Sequence, residues 1–469
     1  MIGSSTLVLA AMSDGPAGLL PARDQMALSL GWHIILSCFG VAFPAMIFVL
    51  HRRGIVKDDP VALGLARRWS KVAAVLFAIG AVSGTVLSFE MGLLWPGLMG
   101  RYGDVIGLPF AFEGISFFVE AIFLGIYLYG WDRMPPRQHL LALVPMGIAG
   151  VTGTFFIVSV NAWMNNPTGF DVVDGQVTNV DPWRAMFNDG AFLQFAHMWV
   201  GAYMVVGFLV AGVYAAGMLR GRRDAHHRMG FTVPMVFATV AALVQPLIGH
   251  VLGLRVGDTQ PAKLAAFELA TTTESPSPLH LGGLLIDGEL RWALSIPRLG
   301  SLIARNSFTD PVVGLDTIPL DEQPPVNITH VAFQSMVGIG TLLALAVTVY
   351  WFARWRGWDP MSRTWVLRAA VVAGPLAAVA LEAGWIATEV GRQPWTVWQV
   401  LRTTDAASTN PGLWWSYAGV VVLYTLMTIG AYVVLRSMSR RWREGGEELA
   451  SPYGPGSAAP IEEVRTSSR

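Results

Sequence analysis

Residues 25–50 read QMALSLGWHIILSCFGVAFPAMIFVL, an almost unbroken apolar run. A helix of about 20 apolar residues is long enough to cross the hydrocarbon core of a bilayer. Eight more runs of this kind follow, at about residues 72–98, 105–131, 140–164, 191–219, 229–253, 329–353, 365–389 and 413–436. The composition, with 53% hydrophobic and 14% charged residues, excludes an ordinary soluble domain. The sequence therefore predicts an all-α polytopic membrane protein with about nine transmembrane helices.

The basic residues between these spans predict the orientation of the chain. Lys and Arg concentrate in the loops after spans 1, 3, 5 and 7 and in the C-terminal tail, which together hold about two thirds of the 32 basic residues. Because basic loops favour the cytoplasmic side, we expect the N-terminus outside and the C-terminus in the cytoplasm. Residues 1–23 lack a basic segment before their apolar stretch, so we expect no cleaved signal peptide.

The spans divide the chain into five segments. They are an N-terminal outer segment (1–23), spans 1 to 6 (24–253), an outer loop (254–328), spans 7 to 9 (329–437) and a cytoplasmic tail (438–469). A loop as long as the outer one is usually functional or disordered, and its helical stretches between Pro and Gly breaks predict a folded loop. The tail is rich in Gly, Ser, Pro and Glu, a composition typical of disorder.

Six residues inside the predicted spans are ones that hydrocarbon surroundings exclude or that a transmembrane helix rarely requires: His33, Glu113, Glu120, His197, Met336 and Glu382. An ionisable group stranded in hydrocarbon costs roughly 3 kcal/mol, so such groups indicate functional sites. All but Glu120 lie at one level, roughly 10–13 Å below the outer surface at a helical rise of about 1.5 Å per residue. His, Met and Glu can hold haem iron, and we therefore expect the haems between helices near the outer face. Glu120 lies about 10 Å deeper than Glu113 on the same helix face, which predicts a proton path.

The same residues are compatible with less specific roles. A single membrane His is more often a packing residue, and most of the 19 Met must fill the core. A proton-coupled transporter would also carry intramembrane Glu and His, but it usually has broken helices near mid-membrane. A b-type haem subunit that only transfers electrons would not need the unpaired ligands His33 and Glu382. Cys38 is the single cysteine, which excludes an intrachain disulfide, a Cys-held iron–sulfur cluster and a c-type haem.

Seven motifs occur in order along the chain: GWHIILSCFGVAFPAM (31–46), FEGISFFVEAIFLGIYLYGWDR (112–133), VNAWMNNP (160–167), FAHMWVGAYM (195–204), QPAKLAAFE (260–268), AFQSMVGIG (332–340) and EAGWIATEVGRQPW (382–395). Together they resemble subunit I of the cytochrome bd quinol oxidases. The resemblance extends from about residue 24 to 436 and implies a subunit of a terminal respiratory oxidase in the bacterial cell membrane.

The resemblance implies a role for each matched haem residue. His33 and Glu382 are then the axial ligands of two closely spaced high-spin haems, and His197 and Met336 hold a low-spin haem b. Glu113 lies beside the oxygen-reducing haem. Two residues of the last motif, Trp385 and Arg392, complete the expected haem-binding residues.

The same resemblance implies how protons and quinol are handled. Glu120, with Glu113, lies on the proton route from the cytoplasm, and Lys263 and Glu268 of the outer loop act on quinol. Protons taken up inside and released outside would build a proton gradient without a pump. Gln334 occupies a place where some members have Arg.

The implied cofactors and partners complete the expectation. The cofactors are a low-spin haem b, a high-spin haem b, and either haem d or a third haem b at the oxygen site; the FQSM motif is similar to the cyanide-insensitive branch, so the last choice stays open. The implied partners are quinol, O2, the lipid bilayer, a homologous subunit II and a small single-helix subunit, and no nucleic acid is expected.

Overall fold

The computed structural model describes residues 15–444. Within this range, nine helices are long and apolar enough to cross a membrane, so the predicted fold class is confirmed. The expectations for the start of the N-terminal segment and the end of the tail fall on residues 1–14 and 445–469, outside the described residues. The helices are α1 (Leu19–Lys57), α2 (Pro60–Leu94), α3 (Pro96–Tyr129), α4 (Pro136–Leu141), α5 (Leu143–Asn165), α6 (Pro182–Met186), α7 (Ala191–Leu219), α8 (Ala225–Thr259), α9 (Pro261–Glu268), α10 (Leu299–Arg305), α11 (Val326–Trp355), α12 (Thr364–Val390), α13 (Thr403–Ala406) and α14 (Leu413–Glu444).

Local sequence signals explain where several of these helices begin. Pro60, Pro96 and Pro261 occupy the first turns of α2, α3 and α9, where a missing N–H costs nothing and the fixed φ suits a helix. The Asp59 carboxylate caps α2 by accepting hydrogen bonds from the backbone N–H groups of the first turn. The predicted second span ran to residue 98, but the structure ends α2 at Leu94, since Pro96 starts a new helix.

Helix α7 lies at the centre of the bundle. In its most apolar window 67% of the residues are buried inside the protein, against 11% in α14, and it packs against α5, α8 and α12. Glycines allow close approach between helices: a Cβ built on Gly207 would lie 2.8 Å from the Ala238 Cβ, and one on Gly374 would lie 2.9 Å from the Leu209 Cα. The α7 helix, which carries His197, is thus held rigidly on several sides.

The long connection between α8 and α11 is folded, as expected. It contains α9, α10 and a nested hairpin in which strands β3 (Leu279–Leu281) and β6 (Leu294–Ile296) form the base and β4 (Leu284–Ile286) and β5 (Glu289–Arg291) form the tip. The end of the bundle that carries this connection is called the loop end below. Two further antiparallel pairs complete the strands: β1 (Asp171–Val173) with β2 (Gln176–Thr178), and β7 (Trp395–Val397) with β8 (Leu401–Arg402).

Candidate functional site

The structure brings the intramembrane candidates of α1, α11 and α12 to one level of the bundle. A Cβ built on Gly31, two residues before His33, would lie 3.1 Å from the Glu382 Oε2. A Cβ on Gly384, two residues after Glu382, would lie 2.9 Å from the Met336 Sδ. These contacts place His33, Glu382 and Met336 within about a helical turn of one another in depth.

His33 is fixed by the neighbouring helix α2. Its Nδ1 lies 2.8 Å from the Ser83 Oγ, and its ring lies against Gly84, where a Cβ would be 3.2 Å from the His33 Cε1. A hydrogen bond at Nδ1 fixes the ring orientation and leaves Nε2 for another partner, as in most metal-bound histidines. The arrangement suits an iron ligand.

His197 and Met336 lie where α7, α8, α11 and α12 meet. The His197 ring lies against Gly249 of α8, where a Cβ would be 3.3 Å from its Cε1, and its buried Nδ1 has no hydrogen-bond partner among the described residues. The Met336 thioether lies against Gly384 of α12. Because Gly249 and Gly384 have no side chain, they leave space beside His197 and Met336. An imidazole and a thioether in apolar surroundings fit the donor set of a low-spin haem.

The two carboxylates of α3 share one face of that helix. Glu120 is only 8% exposed, and a Cβ on Gly40 of α1 would lie 2.9 Å from its Oε1. On α1, Gly40 lies seven residues after His33, and on α3, Glu120 lies seven residues after Glu113. Because the two helices run in the same direction and Gly40 lies against Glu120, Glu113 lies at the level of His33. The hydroxyl of Ser116 lies between the carboxylates on α3, 3.2 Å from the Thr152 Oγ1 of α5. Polar groups thus continue along this face from one carboxylate towards the other.

The α12 helix carries two inward carboxylates, of which the sequence pattern singled out one. The Oε1 of Glu382 is buried without a hydrogen-bond partner among residues 15–444. Glu389, seven residues further on, was missed. Its two oxygens accept hydrogen bonds from the Asn161 Nδ2 and, at 2.5 Å, from the Arg392 Nη2. Its spacing of two turns from Glu382 was the available signal.

Arg392 is a buried guanidinium with spare donors. It is 2% exposed and pairs with Glu389, while its Nε and Nη1 have no partner among the described residues. A buried unpaired donor is costly unless a bound anion satisfies it. These donors fit a haem propionate. Trp385, the second haem contact expected from the last motif, is partly buried and lies on α12 one turn beyond Glu382.

The two candidate quinol residues lie on the short helix α9 at the loop end. Lys263 is 3% exposed and donates a 2.6 Å hydrogen bond to the Asn165 Oδ1. Burial, and then the charge of Arg392, lower the pKa of the Lys263 amine well below its usual range. Burial raises the pKa of Glu268 to about 7, and the Glu268 Oε2 has no partner in the described part of the chain. The two groups form no ion pair with each other among residues 15–444.

Two polar residues of α11 anchor the loop, and sequence reasoning missed the structural role of both. His330 is buried, with Nδ1 2.7 Å from the Phe267 carbonyl oxygen and Nε2 3.0 Å from that of Gly282. The Gln334 amide donates to the His280 carbonyl oxygen at 2.6 Å and accepts from the Gly282 N–H at 2.9 Å. The hairpin and α9 are therefore attached to the first turns of α11.

Comparisons with known proteins identify the family of the chain. Residues 21–442 match the family described as cytochrome bd terminal oxidase subunit I. The chain is 35% identical over 430 residues to a putative cytochrome bd menaquinol oxidase subunit I of Bacillus subtilis (strain 168), covering 89% of this chain and 95% of that protein. It is 26% identical over 492 residues to the cytochrome bd-II ubiquinol oxidase subunit 1 of Escherichia coli (strain K12), covering 89% and 96%.

A solved structure is also similar. The bd oxidase from Geobacillus thermodenitrificans superimposes with a TM-score of 0.87 at 39% identity, covering 91% of this chain and 99% of that one.

Proposed function

The chain belongs to the cytochrome bd terminal oxidase subunit I family, the quinol oxidases of bacterial membranes, and from this premise we propose a role for each residue of the site. The observation that carries the proposal is the common level of His33, Met336 and Glu382, set by the contacts at Gly31 and Gly384. Bound haems would supply electron transfer and oxygen binding. The chain itself supplies ligands, a quinol site and proton-holding groups.

The residues divide into two kinds of haem site. His197 and Met336 would together hold a low-spin haem b, which would supply electron transfer. His33 and a carboxylate of α12 would each hold one high-spin haem, a haem b and either haem d or a third haem b. The unused Arg392 donors support a propionate contact beside them.

Glu382 is our assigned carboxylate ligand, and Glu389 is its rival. The unpaired Oε1 favours Glu382, whereas Glu389 already accepts hydrogen bonds from Asn161 and Arg392. Glu389 lies about two turns nearer the loop end, beside the guanidinium that would bind a propionate. Replacing each by Gln removes the ligand charge without changing the shape.

The test measures the high-spin haems directly. Membranes with the full oxidase are prepared for wild type, Glu382→Gln and Glu389→Gln, and dithionite-reduced minus air-oxidised spectra are compared with and without CO. We expect Glu382→Gln to lose the signal of one high-spin haem and Glu389→Gln to keep the signals of both. The reverse result would transfer the ligand role to Glu389, and wild-type spectra in both variants would remove α12 from the haem site. A wild-type protein without any haem signal would contradict the whole assignment.

Quinol oxidation is assigned to α9. Glu268 would accept the proton of a quinol hydroxyl, because a carboxylate with a pKa of about 7 can both take and release a proton near neutral pH. Lys263 would orient the quinol oxygen through its amine. Both side chains lie at the loop end, so the protons would be released on that side.

Glu113 and Glu120 would hold the protons that oxygen reduction consumes. The face that they share with Ser116 leads from Glu120, the deeper of the two carboxylates as seen from the loop end, towards the level of His33. With the N-terminus outside and the C-terminus in the cytoplasm, protons would be consumed from inside and released outside. This arrangement would generate a gradient without pumping.

The active oxidase would also contain subunit II and a small single-helix subunit. The helices with the smallest buried share are α14, with 11%, and α2 and α11, with 17% each. The faces of α2, α5 and α14 that are rich in Gly and Ala are our candidates for subunit contacts, since small residues allow helices to approach closely in membranes.

A further inference from the structure

Lys263 of the proposed quinol site is held by an amide of a different helix. Its Nζ donates to the Asn165 Oδ1 at 2.6 Å, and Asn165 is the last residue of α5. The Gln260 Nε2 donates to the same Oδ1 at 3.1 Å and to the Asn165 carbonyl oxygen at 2.6 Å. All three side chains are buried, at 5% exposure or less. Two donors on one oxygen fix which way the Asn165 amide is turned.

The other side of the same amide leads towards the α12 carboxylate. The Asn165 Nδ2 donates to the Asn161 carbonyl oxygen at 2.9 Å and to the Asn161 Oδ1 at 3.1 Å. The Asn161 Nδ2 in turn donates to Glu389, which pairs with Arg392 at 2.5 Å. One continuous series of hydrogen bonds therefore joins Lys263 to the ion pair of the partly exposed Glu389 and the buried Arg392.

Little else determines where the Lys263 amine lies. Among residues 15–444 its only hydrogen bond is the one to Asn165, and it forms no ion pair. Its stem packs against Gly391, where a Cβ would be 3.0 Å from the Lys263 Cγ. A buried amine with a single acceptor depends on that acceptor for its direction. The charged groups that act on it are Arg392 and Glu389.

We propose that Asn165 is a positioning residue for quinol oxidation: its Oδ1 holds the Lys263 amine towards the quinol oxygen, and its Nδ2 fastens that arrangement to Asn161 and the Glu389–Arg392 pair. The proposal rests on the proposed function of Lys263. Neither composition nor spacing pointed to Asn165, because its role comes from the contact of α5 with α9. The hydrogen bonds of the Asn165 side chain reach Lys263, Gln260 and Asn161 and none of the proposed haem ligands.

The experiment compares variants in membranes that contain the full oxidase. Asn165→Ala removes the acceptor, Asn165→Asp keeps its shape and adds a charge, Lys263→Ala removes the amine, and the double variant Asn165→Ala/Lys263→Ala tests whether the two act together. Asn166→Ala is the matched control, since the side chain of this neighbour forms no hydrogen bond within residues 15–444. Oxygen consumption is measured against the concentration of a short-chain quinol, and reduced minus oxidised spectra give the haem content.

We expect the KM for quinol to rise on the order of 10-fold in Asn165→Ala, as for loss of one hydrogen bond to a charged group, with unchanged spectra and a smaller change in kcat. In the Lys263→Ala background, Asn165→Ala should not raise the KM for quinol any further. In Asn165→Asp the new carboxylate favours the charged amine, so the alkaline limit of the pH profile should move upwards, an effect that a purely structural residue would not cause.

The outcomes distinguish failure of the positioning role of Asn165 from failure of the proposed quinol site. A wild-type KM in Asn165→Ala, with Lys263→Ala impaired, overturns the positioning role and leaves the quinol site intact. Wild-type kinetics in both variants overturn the proposed quinol site itself. If Asn165→Ala loses its haems, Asn165→Asp decides: a wild-type KM and pH profile there would refute the role of Asn165.

Discussion

Replacing Glu268 by Gln should abolish the acid limit of quinol oxidation. The carboxylate must be ionised to accept a proton from quinol, and burial raises its pKa from 4.5 to about 7, which corresponds to roughly 3 kcal/mol against the ionised form. The ionised fraction therefore falls as the pH falls through 7. Between pH 8 and pH 6 it decreases about tenfold, and kcat/KM for quinol should decrease with it.

The amide of the Glu268→Gln variant would keep the shape of the carboxylate but could not take the proton. We expect kcat/KM to drop by about 10²–10⁴, the usual contribution of a general base, and the remaining activity to be independent of pH between 6 and 8. Glu268→Asp should keep an acid limit, at a lower rate, because the carboxylate is set back by one methylene. Glu289→Gln, which changes an exposed carboxylate on the hairpin, is the matched control and should behave as wild type.

The assay is oxygen consumption by membranes with saturating and limiting quinol across this pH range, normalised to haem content. An acid limit near pH 7 that persists unchanged in Glu268→Gln would refute the reasoning, since another group would then be titrating. An acid limit near pH 4.5 in wild type would show that the surroundings of Glu268 do not perturb it in the working oxidase.

Three further predictions concern the haem and proton residues. Met336→Leu conserves volume, at a packing cost below about 1.5 kcal/mol, so folded protein with a weakened low-spin b-type absorption band is expected in reduced minus oxidised spectra; an unchanged band would exclude Met336 as a ligand. Gly384→Ala puts a methyl 2.9 Å from the Met336 Sδ and should shift the midpoint potential of the same haem in a redox titration, whereas Gly253→Ala, whose Cβ meets nothing within 4 Å, should not. Glu120→Gln should slow oxygen consumption while quinol still reduces the haems at the wild-type rate in stopped flow; wild-type rates in both assays would contradict a role in proton supply.

The sequence was sufficient for the bundle and insufficient for its polar contacts. Span length and apolarity come from the physics of the bilayer, so the runs were readable without a structure. The predicted helix boundaries were less exact. Helices α1 and α8 continue beyond the predicted spans, to Lys57 and Thr259. The predicted span 2 ran to residue 98, but a new helix begins at Pro96. Such extensions depend on contacts at the helix ends rather than on lipid.

The parts of the site that sequence reasoning missed all depend on contacts between distant segments. Glu389 gains a partner from α5, Asn165 from α9, and His330 from two carbonyl oxygens 63 and 48 residues away. Neither Asn165 nor His330 carries a spacing signal of the kind that linked Glu113 to Glu120. A single Asn or His near a helix end is common, and only the fold distinguishes one that fixes a functional side chain.

Hydrogen bonds at both ends of α9 attach this helix to the transmembrane helices. One end of this helix is tied to α5 through Lys263 and Gln260, which donate to Asn165, and the other to α11, through the bond between His330 and the Phe267 carbonyl oxygen. A quinol that arrives by lateral diffusion through the bilayer would therefore meet side chains already in place, and preorganised groups lose less freedom on binding than mobile ones. Loosening either attachment should weaken quinol binding before it disturbs the haems, because the hydrogen bonds of Asn165 and His330 hold opposite ends of α9 and involve none of the proposed haem ligands.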